Sequence, residues 1–438
     1  MVSQEFCHWF SNRGLGSETM RLIEYLQTIC PTAATKKWLQ RCWPLDAGQL
    51  CAIAKRQTGL NDFGDPPVEP ALSILVHSLR QEAALHPVGH FLIWHHLKDL
   101  LATRLRLVHV WHNSAESPNE VPIERPLFIT GMPRSGSTFL HELLAEDPGN
   151  RSPLTWEVMF PLQERRATRD GCDPRIRRAA AQLRWFRRIV PEADIVHPIH
   201  AESPQECVAI HSYSMQSEEF LITCWLPAYE QWLRKADFVP VYTWQKRFLQ
   251  HLQGAGPARR WVLKAPDHAP TMEALFSVFP DACIVQTHRE PMDVLRSILG
   301  LAEVLHGLYG RAEGAEKRVR RQVRVLAEAM DRLMDFRQMH PELEGRFLDV
   351  NYSDLVADPL KTVGRIYRHC NAPLTEQALA AMRRMISHRS RYPKRRSGKT
   401  GRNVLSVEDR RPYQRYCQRF GFPLNPGEDP ASGMPSTR

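Results

Sequence analysis

The eight residues Gly131-Met-Pro-Arg-Ser-Gly-Ser-Thr138 contain two glycines at the spacing of a phosphate-binding loop, followed by two hydroxyl side chains. The nucleoside-triphosphate version of this loop continues Gly-Lys-Ser/Thr, with the lysine reaching the outer phosphates. Ser137 stands where that lysine would be. Backbone N–H groups of such a turn, with the free N–H groups at the start of a following helix, make an anion site. Gly131 and Gly136 supply the backbone freedom, and Ser137 and Thr138 supply hydroxyl donors. Without the lysine, a triphosphate would need its charge neutralised elsewhere, and no apolar run ending in Asp offers a magnesium ligand. The loop therefore suits a single phosphate-like group and no metal.

The elements around the loop fit that reading. "LFIT" (127–130) is apolar, lacks helical period and is bounded by Pro126 and Gly131, as a buried parallel strand would be. "STFLHELLAEDP" then sets Phe139, Leu140, Leu143 and Leu144 on one helical face before Pro148. The order strand, Gly-rich loop, helix is followed by a second round. "RWVLKAP" predicts a strand ending at Lys264, Pro270 is expected to open a helix carrying Met272, Leu275, Phe276 and Phe279, and "DACIVQTHR" predicts the next strand. Pro291 opens a further helix, "VRRQVRVLAEAMDRLMDF" predicts a long one, "GRFLDVNY" a strand and "DPLKTVGRIYRHC" a helix. Alternation of this kind predicts an α/β fold, a P-loop-like parallel sheet flanked by helices.

Residues 1 to 120 read differently. "ALSILVHSLRQEAAL" and "HFLIWHHLKDLLATRLRLV" have apolar residues at three- and four-residue intervals, and "TGLNDFGDPPVEP" between them is a loop. The expected organisation is a helical N-terminal region over 1–120 that caps an acceptor pocket, an α/β domain over 121–420 and a tail over 421–438.

Composition bounds the function. The chain has 438 residues, 43% hydrophobic and 24% charged, with a formal net charge of +10, and its pI is near 9.2. No apolar run reaches the roughly 20 residues that span a bilayer, and no basic-then-apolar leader opens the chain; a cytoplasmic protein is expected. Ten scattered cysteines fit reduced thiols better than a disulfide framework, and neither "WHHL" (94–97) nor "HPIH" (197–200) has the companions of a metal site. The positive charge favours an anionic partner. Arginine-rich stretches at 165–188 and 383–402 leave open a nucleic-acid-binding protein, and the loop leaves open a nucleotide kinase.

Two motifs together narrow the choice. "PLFITGMPRSGSTFLHELL" resembles the 5′-phosphosulfate loop of the sulfotransferases, and "VQTHREPMDVLRSIL" resembles their 3′-phosphate segment, with Arg289 at a strand end and Ser297 eight residues later. "LKAPDHAPTMEALFSVFPDA" and "YSDLVADPLKTVGRIY" also look like segments of the bacterial type, so that the resemblance runs over roughly residues 55 to 420. It implies transfer of a sulfuryl group from 3′-phosphoadenosine 5′-phosphosulfate to a hydroxyl or amine of a small-molecule, lipid or carbohydrate acceptor, without metal and without nucleic acid.

The same resemblance implies roles. Arg134, Ser135, Gly136, Ser137 and Thr138 would wrap the 5′-phosphate; Arg289 and Ser297 would hold the 3′-phosphate; Lys264 would stabilise charge on the transferring group together with Arg134. Tyr352 would pack by the nucleotide or belong to the core. For the base that takes the acceptor proton, Glu157 in "SPLTWEVMF" matches the glutamate of the tyrosylprotein and heparan enzymes, with His141, His197, His200 and His268 as alternatives. After "YPK", where bacterial relatives carry a Gly-x-His-x-Tyr-like segment, this chain has Lys399 and Arg402, a basic loop expected to clamp the 3′-phosphate. "HPIHAESPQECVAIHSYSMQSEEFLITCWLPAYEQWL", rich in aromatic residues, either lines the acceptor pocket or forms core.

Overall fold

Leu127, Phe128 and Ile129 are wholly buried and point alternately to the two faces of a sheet, which is why this run has no polar period. The computed structural model describes residues 33–113, 122–163, 173–189, 199–254, 259–310, 314–390, 405–406 and 408–423. Five strands are formed: β1 (Leu127–Gly131), β2 (Asn150–Arg151), β3 (Arg260–Lys264), β4 (Cys283–His288) and β5 (Phe347–Asn351). They make one parallel sheet in the order β2-β3-β1-β4-β5. β1 is central. Ile129 pairs with Lys264 on one side and Gly131 with Thr287 on the other, while His288 pairs with Asn351.

Helices cover both faces, as parallel sheets require. Leu127, Ile129, Val262, Val285 and Val350 pack against Leu140, Leu143 and Leu144 of the helix Ser137–Ala145 and Val363 and Ile366 of Pro359–His369. On the opposite face Phe128 meets Phe279 and the ring of His268 at 5.3 and 5.0 Å. Four of the five strands coincide with expected ones; β2, two residues long, carries too little pattern to be read from sequence. Pro270 does not open the α-helix. It lies within a 3-10 turn, Pro266–Thr271, and the helix begins at Met272, because the tighter turn fits the two prolines in the segment.

Two compact units emerge, and neither is one continuous stretch. The first draws on the described parts of Met1–Pro122, Pro153–Pro257 and Ala302–Ala312; the second on Ile123–Ser152, Ala258–Leu301 and Glu313–Arg438 and contains the sheet. The first unit is helical. Its longest helix, Pro87–Asn113, buries Ile93, Leu97, Leu101, Leu105 and Val108. Arg104, on the same helix, is wholly buried and donates to the carbonyls of Phe63 (2.7 Å), Pro66 (2.6 Å) and Tyr213 (2.9 Å), with its guanidinium 3.8 Å from the centre of the Trp244 ring. Burial lowers this arginine to about 9, against the pull of Glu69, Asp65 and Asp62. It still carries its charge at neutral pH, and its carbonyl partners tie the loop after Thr58 to the helix.

Candidate active site

The C-terminal ends of β1, β3, β4 and β5 lie along one sheet edge, where open α/β folds bind ligands. From those ends come the loop Met132–Gly136, Lys264, Arg289 and Tyr352 respectively. Register brings together residues separated by more than two hundred positions in the chain.

Each glycine of the loop has a steric reason. Gly131 has φ 127°, and a Cβ there would lie 2.3 Å from the Thr287 carbonyl oxygen; at Gly136, φ 91°, it would lie 2.9 Å from the Tyr352 ring. No side chain caps the helix that starts at Ser137, so its first N–H groups remain for an anion. Arg134 adopts φ 65°, a left-handed conformation uncommon for a non-glycine residue. It is held from two sides. Its Nε donates to Ser297 Oγ at 2.9 Å, and its carbonyl oxygen accepts from Arg289 Nη1 at 3.0 Å. The Arg289 guanidinium in turn lies 4.4 Å from the centre of the Tyr352 ring, a cation–π contact. Lys264 is buried, and its Nζ donates to Thr138 Oγ1 at 3.1 Å. Arg134, Thr138, Lys264, Arg289, Ser297 and Tyr352 thus form one cluster, with three cations at the mouth of an anion-binding turn.

Ser135 behaves otherwise than its place in the motif suggests. Its hydroxyl is wholly buried, donates to the Met132 carbonyl at 2.5 Å and shares a 2.6 Å hydrogen bond with Thr287 Oγ1, which itself bonds the Thr130 carbonyl at 3.1 Å. The side chain locks the loop from beneath. Thr287 was not singled out in the sequence; its signal would have been a hydroxyl three residues before the "EP" that opens the next helix, legible only with the β1–β4 register in hand.

A second network sits under Arg289. His288 is buried, its Nε2 is 2.8 Å from Asp349 Oδ1, and its Nδ1 is 2.9 Å from the Tyr416 hydroxyl. Burial lowers the His288 pKa more than Asp349 raises it, so the ring is neutral, donating to Asp349 and accepting from Tyr416. Burial also raises the Tyr416 phenol far above its ordinary value, while the Arg289 backbone N–H hydrogen-bonds its oxygen. Arg337 completes the network, donating to Gln286 Oε1 (2.9 Å) and both oxygens of Asp349 (2.7 and 3.0 Å). These bonds hold Asp349 well below the usual carboxylate range despite partial burial. The helix Gln414–Phe420 thereby anchors the strand end that carries Arg289.

The remaining candidates scatter. Glu157 is buried in the helical unit at the third position of the short helix Thr155–Met159, where its Oε2 accepts from the Leu154 N–H at 3.0 Å. His141 is buried with Nε2 3.1 Å from Ser152 Oγ and 3.2 Å from the Val262 carbonyl, a core position. His268 packs edge-on to Phe128, and His200 is exposed beside Arg187 Nη2 at 3.2 Å. His197, Lys399 and Arg402 lie outside the described residues. Among the aromatic residues of 197–250, Phe220, Tyr229, Tyr242, Trp244 and Phe248 are fully buried and form core. In the arginine-rich helix Pro174–Ile189, the Arg175 and Arg178 guanidinium groups stand 4.5 and 4.2 Å from the Trp156 and Phe160 rings; Arg175 is buried there, while Arg178 stays exposed. Among the described residues no group of side chains could hold a metal ion, and no helix is long and apolar enough to cross a membrane.

A parallel sheet with an anion-binding turn lacking the triphosphate lysine, and with cations supplied from neighbouring strand ends, defines a group-transfer enzyme of the P-loop-like class. The sulfotransferase family model matches residues 126–376, more than half of the chain, which belongs to that family. The enzyme is a sulfotransferase. It is 25% identical over 307 residues to omega-hydroxy-beta-dihydromenaquinone-9 sulfotransferase Stf3 of Mycobacterium tuberculosis and of Mycobacterium bovis, covering 65% of this chain and 71% of that protein. Among solved structures, sulfotransferase STF9 from Mycobacterium avium is 27% identical with a TM-score of 0.77, over 87% of this chain and 98% of that one. Sulfotransferase STF1 from Mycobacterium tuberculosis is 28% identical with a TM-score of 0.73, over 84% and 98%.

Proposed function

We propose that the donor is 3′-phosphoadenosine 5′-phosphosulfate and that the acceptor is a hydroxyl on a largely apolar, lipid-like molecule. The observation that carries the donor assignment is the cluster at the sheet edge: Arg134, bonded to Ser297, and Arg289, bonded to the Arg134 carbonyl, extend the anion-binding turn into a second cationic site. A donor with two separate anionic ends needs both. The fit is supported by the uncapped helix start at Ser137 and by the two glycines whose Cβ atoms would intrude on Thr287 and Tyr352.

The backbone of Ser135, Gly136, Ser137 and Thr138 and the Thr138 hydroxyl hold the 5′-phosphate, while Arg289 and Ser297 hold the 3′-phosphate beside Tyr352, assisted by Lys399. The donor supplies a sulfuryl group activated by its phosphate leaving group. Lys264, which is buried, and Arg134, which is exposed but held by Ser297, direct positive charge to where negative charge builds up during transfer, a role that pre-positioned cations perform without reorganisation cost. Glu157, by its match to the glutamate of related enzymes, accepts the acceptor's proton as general base. For the acceptor, support comes from the Stf3 relative, an omega-hydroxy-beta-dihydromenaquinone-9 sulfotransferase.

The test is transfer of radiolabelled sulfate from the donor to long-chain and prenyl alcohols, run beside Arg289→Ala. Transfer by the wild type and its loss in the variant are expected. No transfer to any alcohol, together with no binding of adenosine 3′,5′-bisphosphate, would overturn the proposal.

A further inference from the structure

Three successive residues at the end of β4 are bonded to one downstream segment, the 3-10 turn Glu408–Tyr413 and the helix Gln414–Phe420. The His288 ring and the Arg289 N–H both meet the Tyr416 hydroxyl, and Glu290 Oε1 accepts from Arg410 Nη2. The last contact has no role in the chemistry above. Its two side chains are largely buried, Arg410 keeping 11% of its accessibility and Glu290 21%. The other carboxylate oxygen, Oε2, accepts at 2.8 Å from the Asp293 N–H, in the first turn of the helix Pro291–Tyr309. The Glu290 main-chain carbonyl accepts there as well, from Asp293 and Val294 at 3.1 and 3.2 Å. That helix carries Ser297, and the residue before Glu290 is Arg289. Glu290 therefore stands in the chain between the two side chains assigned to the 3′-phosphate, and its contacts fix the start of the helix that presents the second of them.

This placement sets two requirements against each other. A carboxylate is a good acceptor for a free N–H at a helix start, but a negative charge next to a cation meant for a phosphate weakens that cation's pull. The other acid of the turn, Asp293, is answered on the exposed face by Arg296 Nη1 at 3.0 Å. Glu290 is answered from inside by Arg410. The guanidinium is seated there for the carboxylate alone, because Nη2 donates to Glu290 while Nε and Nη1 are enclosed with no hydrogen-bond partner. Enclosed donors without partners are costly, and an apolar side chain of similar length would avoid that cost. The positive charge is what the position requires. The segment that carries it is fixed independently, since the Tyr413 hydroxyl donates to the Val323 carbonyl at 2.9 Å, on the helix Ala315–Met339.

We infer that Arg410 is a positioning residue of the donor site, which by neutralising Glu290 lets that carboxylate cap the helix of Ser297 without repelling the 3′-phosphate. The inference rests on the assignment of Arg289 and Ser297 to that phosphate. Its consequence is selective. The 5′-phosphate is held by the loop after β1 and does not depend on Arg410, whereas the affinity that the 3′-phosphate adds does. Because the harm done by losing Arg410 comes from the bared Glu290 charge, removing that charge as well undoes it.

The experiment measures, by calorimetry on the full-length protein, the ratio of the affinities for adenosine 3′,5′-bisphosphate and adenosine 5′-phosphate. In Arg410→Met the ratio should fall about tenfold or more, the effect of leaving one charge of a largely buried pair unanswered, while adenosine 5′-phosphate binds as to wild type. Arg410→Lys keeps the charge and should retain most of the ratio. Glu290→Gln keeps an acceptor for the Asp293 N–H, and adding it to Arg410→Met should restore most of the ratio, a rescue that a merely structural Arg410 would not allow. Glu290→Gln alone should bind the bisphosphate at least as tightly as wild type, an arm that stands even if Arg410→Met fails to fold. An unchanged ratio in Arg410→Met, a double variant as poor as Arg410→Met, or a weakened Glu290→Gln overturns the inference. A wild type that does not distinguish the two nucleotides overturns the 3′-phosphate assignment and this inference with it, so that the two failures are told apart.

Discussion

Ser135→Ala tests whether the first hydroxyl of the loop touches ligand or holds the loop. Three contacts join Met132, Ser135, Thr287 and Thr130, of 2.5, 2.6 and 3.1 Å, but the two hydroxyls supply only two protons. With the Ser135 proton on the Met132 carbonyl, the Thr287 proton is shared between Ser135 Oγ and the Thr130 carbonyl. Removing the Ser135 oxygen therefore strips the buried Met132 carbonyl or the Thr287 hydroxyl of its partner, which costs about 1–3 kcal/mol. Because those bonds exist without ligand, the loss appears in the free protein. Amide hydrogen exchange over residues 127–145, followed by mass spectrometry, should speed up by roughly 5–150-fold, the equivalent of that cost. Affinity for adenosine 3′,5′-bisphosphate falls by no more than the same factor, since the loop must be reordered on binding. In the double variant with Thr287→Val the effects should be less than additive by about 0.5 kcal/mol or more, as expected for one network. Unchanged exchange in the free variant, with affinity reduced tenfold or more, would refute the reasoning and return the hydroxyl to the ligand.

Lys264→Met should leave adenosine 3′,5′-bisphosphate binding within a few-fold of wild type while lowering the transfer rate by roughly 100-fold or more, read by single-turnover sulfate transfer. Glu157→Gln preserves an acceptor for the Leu154 N–H, so the protein should melt normally and transfer at least roughly 100-fold more slowly; an unchanged rate removes Glu157 from the chemistry. Tyr416→Phe deprives His288 Nδ1 and the Arg289 N–H of one partner, and bisphosphate affinity measured by calorimetry should drop about fivefold or more. Asp349 has a depressed pKa in the folded protein, so its contribution to stability is complete above the ordinary carboxylate pKa of about 4 and is lost as pH falls toward the folded value. Thermal melting of Asp349→Asn should accordingly lie below wild type at pH 7, with the gap closing as the pH is taken below about 4.

Much of the donor site could be read from the sequence because its parts are local. The loop's glycine spacing, the apolar run before it and the amphipathic helix after it are neighbours in the chain, and each follows from backbone freedom or periodicity over a few residues. Arg289 and Lys264 were found for a related reason: both end apolar runs, and strand ends of a parallel sheet share one edge. Glu157 was read from resemblance, and its helix-capping contact with Leu154 came only from the structure.

What tertiary structure decided are the contacts across long separations. Ser135 turns inward because register sets Gly131 beside Thr287, and the ladder between strands 156 residues apart leaves no trace in either segment alone. Tyr416 supports Arg289 from a helix well over 100 residues downstream, and Arg410 meets Glu290 across a similar gap. The helical unit itself is assembled from three separate stretches. Sequence determined which residues could bind an anion, since that depends on short-range backbone geometry. Folding determined which hydroxyls and charges were committed to holding those residues still, since that depends on which strands and helices become neighbours.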